Sequence, residues 1–147
     1  MLSELPPISQ TTYIAAPITN VYETLTTSRG WDAWLTTGTT LDARPGGEIC
    51  LRWHEWGPNH DTVTDHGAVV EALPGRRFAF HWHPGGGTSL VSFDLESLGL
   101  GTIVRLTDSG HSSMSTLVAC AAGWGEAMAL LKMYLEHGVT YGPVPRP

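Results

Sequence analysis

The sequence has few charged residues and no cluster of basic ones. Only 22 of its 147 residues are Asp, Glu, Lys or Arg, the formal net charge is −6, and Lys132 is the single lysine. Nucleic acids and anionic membranes are bound through runs of Lys and Arg that neutralise phosphate charge. The composition therefore argues against both as partners, and we expect no nucleic acid and no membrane.

A long apolar run and an amino-terminal targeting segment are also missing. The longest continuous apolar stretch, residues 117–122, is far shorter than the roughly 20 residues that span a bilayer. The first ten residues lack the basic and apolar regions of a signal peptide. The two cysteines, Cys50 and Cys120, lie in apolar-periodic segments, which favours buried free thiols over a disulfide. We expect a cytoplasmic protein.

The length predicts one domain over residues 1–147, with its core at about 8–140. The periodicity predicts a strand, two short helices, a series of antiparallel strands and a long helix. Turns are predicted at 84–87 and 99–101. The strands are expected at Ile8–Ile14, 48–54, 67–73, 77–83, 90–97 and 102–108, and the helices from Pro17, at 29–35 and at 113–137.

The last helix carries one continuous apolar stripe. Its apolar positions step by three and four residues, and Gly138 follows its predicted end. At about 1.5 Å per residue, the helix is roughly 37 Å long, enough to cross a sheet. Gly123 and Gly125 weaken it, which indicates a bend or a close approach there. The stripe consists of Leu117, Ala121, Trp124, Met128, Leu131 and Leu135.

This order of elements resembles the START-like (SRPBCC) superfamily, and within it the family named for the activator of the heat-shock-protein-90 ATPase. The resemblance runs from about residue 9 to 139 and rests on seven segments. It implies a helix-grip α+β fold, in which a curved antiparallel sheet of about six strands wraps a long C-terminal helix. The segments are APITNVYETLT, GWDAWLT, RPGGEICLRW, GAVVEALPGRRFAFHW, VSFDLE, GTIVRLTDSG and GWGEAMALLKMYLEHG.

The chaperone-activating members of that family carry a separate N-terminal domain, and we expect none in a chain of this length. Single-domain relatives resemble the sequence better. Because such folds host unrelated activities, function has to be argued from the site. A chaperone-interacting adaptor stays one alternative, with no support from the residues themselves.

A cavity between the long helix and the sheet is the first candidate site. Apolar hollows of this kind are common ligand sites, and we expect a small, mostly apolar ligand with no covalent chemistry and no cofactor. The same large side chains could instead fill a solid core. The expected lining is Trp53, Phe80, Trp82, Phe93, Val104, Leu106, Trp124 and Met128.

A metal or catalytic site has less support. Five histidines, His54, His60, His66, His81 and His83, fall within 30 residues, but His81 and His83 alternate with Phe80 and Trp82 and should face solvent. We therefore predict no metal site. A cyclase- or hydrolase-like enzyme is the alternative, although no catalytic residue is assigned. The polar groups that could reach the cavity are Arg52, His54, Glu71, Arg105 and His111, although the outer face is favoured for Arg52 and Arg105.

Three tryptophans lie outside the main apolar stripes. Trp31 and Trp34 fall in the second short helix and Trp56 in a loop. These tryptophans could cover the cavity mouth or pack over the sheet edge, but three large aromatic side chains in such places favour an exposed apolar patch. The low charge gives little resistance to self-association. We expect a homodimer with an aromatic interface.

Overall fold

The computed structural model describes residues 5–83 and 87–141. Its strands are β1 Ile8–Ile14, β2 Thr40–Leu41, β3 Glu48–Trp56, β4 Asp61–Leu73, β5 Arg77–Trp82, β6 Ser89–Leu98 and β7 Gly101–Ser109. Its helices are α1 Ile18–Thr26, α2 Ser28–Trp34 and α3 Met114–His137. The strands form one antiparallel sheet in the order β1-β7-β6-β5-β4-β3-β2. The predicted helix-grip α+β fold is confirmed, with seven strands where about six were expected.

The largest difference from the predicted elements lies in the β3–β4 hairpin. Strand β3 extends to Trp56, and β4 begins at Asp61, six residues before the predicted start at Gly67. All four residues of the segment 61–64 are exposed, so its composition is that of a loop although its backbone pairs with β3. Short strand β2 was not predicted. The turn predicted at 84–87 lies mostly outside the described residues.

The core contains two tryptophans that the sequence analysis placed at the surface. Trp31 and Trp34 have no exposed surface, and the exposed aromatic patch expected from them is wrong. The Trp31 ring packs edge-on against Phe80 and Phe93, at 6.1 and 6.2 Å between ring centres. Its Nε1 donates a hydrogen bond of 2.8 Å to the Leu25 carbonyl. Helix α2 is too short to show a periodic stripe, so its inward face could not be recognised from sequence.

Helix α2 enters the interior because α1 and α2 lie very close together. A Cβ at Gly30 would lie 2.2 Å from the Thr24 carbonyl oxygen. Any larger residue would push the two helices apart, so this glycine permits the burial of Trp31 beside it.

Helix α3 is fastened to the edge strand β1 by polar contacts. Glu136 Oε2 accepts hydrogen bonds of 2.8 Å from the Ala15 N–H and from Lys132 Nζ. Lys132 Nζ also donates to the Tyr13 carbonyl. At its ends, Ser113 caps the helix by accepting from the Thr116 N–H, and Gly138 adopts the left-handed conformation expected of a helix stop.

By length and composition alone, α3 is apolar enough to cross a membrane. Its inner face is formed by Trp124, Ala127, Met128 and Leu131, which are buried in the hydrophobic core. A helix that buries one face in the core of a folded domain can have the same length and hydropathy, so this feature is weak support for a membrane span.

We expect Glu136→Gln to lower the thermal midpoint at neutral pH. The hydrogen bond from Lys132, followed by that from the Ala15 N–H, holds the pKa of Glu136 below its usual range. The ionised carboxylate therefore stabilises the fold above the unfolded value of about 4.3, and this stabilisation is lost as the pH falls through the lower folded pKa. The difference from wild type should shrink below about pH 4. Glu23→Gln is the control, because Glu23 is an exposed residue of α1. Equal midpoints for wild type and both variants at pH 7 would show that Glu136 does not fasten α3 to β1.

Candidate ligand cavity between α3 and the sheet

A cavity of about 550 Å³ lies between α3 and strands β3, β4 and β5. Most of its wall is apolar, and four tryptophans belong to it. The α3 side contributes small residues, which leave the volume open. The lining consists of Leu35, Leu51, Trp53, Trp56, Val63, Trp82, Ala119, Cys120, Gly123, Trp124 and Ala127, with the acids Asp61, Asp65 and Glu126.

The structure divides the eight expected lining residues into two groups. Trp53, Trp82 and Trp124 line the cavity. The other five, Phe80, Phe93, Val104, Leu106 and Met128, belong to the buried core and are not part of the lining. The sequence left open whether these side chains fill a core or line a cavity. In the structure, one part of the interior is a packed core and the other part is the cavity.

Trp124 is the boundary between the two halves. Its ring packs against Phe93 on the core side, at 5.9 Å between centres, and against Trp82 on the cavity side, at 5.8 Å. Its Nε1 donates a hydrogen bond of 2.9 Å to Oδ2 of Asp108, a carboxylate with no exposed surface. This pairing compensates part of the cost of burying the charge.

Sequence reasoning missed several of these residues. Trp56 was assigned to a loop, but it ends β3, lines the cavity and stacks on Tyr141 at 4.0 Å. Asp108 was overlooked, although it continues the inward alternation of Val104 and Leu106 on β7. That alternation was the signal that could have identified it.

The polar groups considered for the cavity mostly lie elsewhere. Arg52 donates to the Gly38 carbonyl and to Thr40, and Arg105 pairs with Glu96 at 2.7 Å. His54 is exposed, and Glu71 lies 3.6 Å from Arg77. His111 differs from these, because its side chain is only 2% exposed and its Nε2 lies 3.2 Å from Asp108 Oδ1.

The histidine cluster noted in the sequence does not converge. His81 and His83 are exposed on the outer face, as the alternation predicted. Within the described part of the chain, only His66 of the five belongs to a group of close donor atoms, with Glu48 and Cys50. Both Glu48 and His66 have side chains more than half exposed.

The cavity wall is negatively charged. Three carboxylates and no Lys, Arg or His are among its described lining residues. Burial raises the pKa of Asp65, partly offset by the nearby His66 and His83. Burial, then the charges of Asp108 and Asp65, raise the pKa of the free thiol of Cys120. Both shifts indicate a negative, partly desolvated interior.

A second depression of about 440 Å³ lies between α1, α2 and the end of α3. Its wall is mainly polar, with Asn20, Glu23, Thr24, Thr27 and Arg29. It lacks the apolar surface typical of small-molecule sites. The cavity beside Trp124 is therefore the better candidate.

Together, the antiparallel sheet, the long C-terminal helix and the hollow between them define a helix-grip domain. The chain belongs to the family of Activator of Hsp90 ATPase homolog 1-like proteins, whose sequence profile matches residues 15–136. This confirms the resemblance noted in the sequence. No curated protein matches the chain.

Solved structures share the fold at low sequence identity. The Aha1 dimer from Colwellia psychrerythraea is 23% identical, with a TM-score of 0.75 over 91% of this chain and 98% of that one. CalU16 from Micromonospora echinospora is 25% identical, with a TM-score of 0.77 over 97% and 75%. DynU16, from the dynemicin biosynthetic locus, is 21% identical, with a TM-score of 0.78 over 92% and 49%.

We expect Asp65→Asn to raise the thermal midpoint at pH 7. Because burial raises the folded pKa of Asp65, its contribution to stability is full below the unfolded value of about 3.9 and is lost as the pH rises through the folded value. The gain over wild type should therefore be larger at pH 7 than at pH 3. Asp61→Asn, on the same wall but exposed, is the matched control. A lower midpoint for Asp65→Asn at pH 7 would show that the carboxylate stabilises the fold.

Proposed function

We propose that the protein binds a small, mostly apolar ligand in the cavity between α3 and the sheet, without covalent chemistry. The observation that carries this proposal is a hollow of about 550 Å³ lined by four tryptophans. Small-molecule sites span roughly 300–1,000 Å³ and are lined mainly by apolar and aromatic side chains, as this one is.

The charge of the wall limits the ligand further. With Asp61, Asp65 and Glu126 in the lining, a carboxylate ligand would meet like charges in a partly desolvated site. A neutral or cationic ligand avoids this repulsion, and tryptophan faces attract organic cations. We therefore infer a preference for neutral or cationic apolar molecules over fatty acids.

Binding without catalysis is favoured by the state of Cys120, the cysteine of the cavity wall. A thiol whose pKa is raised stays protonated at neutral pH and is a poor nucleophile. An enzyme of cyclase or hydrolase type is the second candidate, and one observation favours it. Asp65 combines a raised pKa with a place in the cavity wall, as a general acid requires.

A pair of glycine variants tests ligand binding. A Cβ at Gly123 meets no atom within 4 Å, and this residue lines the cavity, so the side chain of Gly123→Leu should project into the hollow and reduce its volume. Gly125→Leu is the control, because its Cβ would meet only Gln10 Nε2, at 3.7 Å, and it lies outside the lining. Replacing either helical glycine should stabilise α3 by about 0.5–1 kcal/mol.

In a thermal-shift screen, a long-chain alcohol or amine should raise the wild-type midpoint with increasing concentration, and the matched fatty acid should do so less. Gly125→Leu should keep this response, and Gly123→Leu should lose at least about tenfold in affinity, equal to about 1.4 kcal/mol. Equal ligand affinity in Gly123→Leu and Gly125→Leu would show that the ligand binds outside this cavity.

We also propose a homodimer, now through the outer face of α3. Val118, Ala122, Ala129 and Met133 recur at helical spacing and are all exposed, with Val118 at 57% and Met133 at 43%. The Aha1 protein from Colwellia psychrerythraea, which has the same fold, was solved as a dimer. An uncharged helix stripe of this kind favours pairing with a second copy. A chaperone partner stays a prediction from the family description alone.

Sedimentation at several concentrations tests the dimer. Val118→Glu should shift the protein to monomer because it places a charge inside the interface. Val70→Glu is the control, since Val70 is 42% exposed on the sheet instead. A wild-type protein that stays monomeric at high micromolar concentration would contradict the proposal.

A further inference from the structure

Three metal-binding side chains meet where the end of β7, the following loop and α3 come together. Asp108 ends the inward face of β7, His111 lies three residues later, and Cys120 lies on the second turn of α3. One donor atom of each residue lies within 4.8 Å of the donor atoms of the other two. The Asp108 and His111 side chains are 0% and 2% exposed, and Cys120 is partly buried.

Two of these buried atoms have no hydrogen-bond partner among the described residues. Asp108 Oδ1 and His111 Nε2 are 3.2 Å apart but are not aligned for a hydrogen bond. The other carboxylate oxygen, Oδ2, is satisfied by Trp124 Nε1. Unpaired polar atoms in a protein interior are costly and rare, so a group that satisfies both atoms together is expected here.

We propose that Asp108, His111 and Cys120 bind a divalent transition-metal ion of the zinc class. Carboxylate oxygen, imidazole nitrogen and thiolate sulfur are the donors that Zn²⁺ uses, whereas Mg²⁺ and Ca²⁺ take oxygen ligands. The Trp124 indole holds Oδ2 and leaves Oδ1 free for the ion, as outer hydrogen bonds do at known metal sites.

The distances fit one ion. An oxygen and a nitrogen each about 2.1 Å from a tetrahedral zinc ion are roughly 3.4 Å apart, close to the observed 3.2 Å. The sulfur would lie roughly 3.6 Å from both, and because all three donors lie within 4.8 Å of one another, a shift of about 1.2 Å at most brings the sulfur into place. Three protein ligands leave a fourth position open.

The electrostatics also favour a cation. Asp108 is one of the three donors, and Asp65 lines the same cavity wall as Cys120, so both carboxyl groups attract a positive ion. Binding converts the thiol to a thiolate and releases its proton to solvent, one proton for each ion bound. The site differs from the one considered in the sequence, which was the His54–His83 cluster with its neighbouring acids and did not include Asp108.

Cobalt titration of the full chain under reducing conditions tests the proposal. Wild-type protein should bind about one Co²⁺, with a thiolate-to-cobalt charge-transfer band and proton release, and Zn²⁺ should displace it. Cys120→Ser should lose the band and weaken binding by at least about tenfold, and Asp108→Asn should weaken it similarly. Circular dichroism checks that each variant is folded.

Cys50→Ser is the matched control, because Cys50 belongs to the other close donor group, with Glu48 and His66. It should keep the band and the affinity. Absence of stoichiometric cobalt binding by wild type would overturn the proposal. A charge-transfer band that survives in Cys120→Ser and disappears in Cys50→Ser would also overturn it. Because these readouts need no organic ligand, their outcome is independent of the function proposed above.

Discussion

The hydrogen bond between Trp124 Nε1 and the buried Asp108 carboxylate is the contact on which the interior depends. It ties α3 to β7, the strand that lies between β1 and β6. Held in this way, the Trp124 ring closes the core on the Phe93 side and forms a wall of the cavity on the Trp82 side. A buried charge is costly unless it is paired, so this pairing favours one position of α3 on the sheet.

The two sides of the interior are filled in different ways. On the side of α1 and α2, Gly30 lets the two helices approach closely. Trp31 packs against Phe80 and Phe93, and Trp34 packs against Trp31. Toward β3 and β4, α3 presents Ala119 and Gly123, which are too small to reach the sheet. Fastening α3 to β1 through Glu136 and Lys132 keeps the helix from moving across to close that gap. The cavity follows from this difference between the large side chains of α2 on one side and the small side chains of α3 on the other.

The same region contains two groups with raised pKa values and one buried carboxyl group. Burial raises the pKa of Asp65 and of Cys120, which both line the cavity, and Asp108 lies behind it without exposed surface. Proteins retain unfavourable groups of this kind most often where they bind or react with something. These groups lie around one hollow, which supports the ligand proposal.

The sequence by itself determined the class of fold and most element boundaries, because strand and helix periodicities depend on neighbouring residues. Strand Ile8–Ile14, the stripe of α3 and its end at Gly138 were all predicted in this way. Only the tertiary structure decided which of those apolar residues would be packed and which would line a hollow. Trp53, Trp82 and Phe93 all alternate inward, yet the first two face the cavity while Phe93 packs against Trp31. Periodicity shows which face of an element is buried, but the volume left above that face depends on the residues brought opposite it by distant segments.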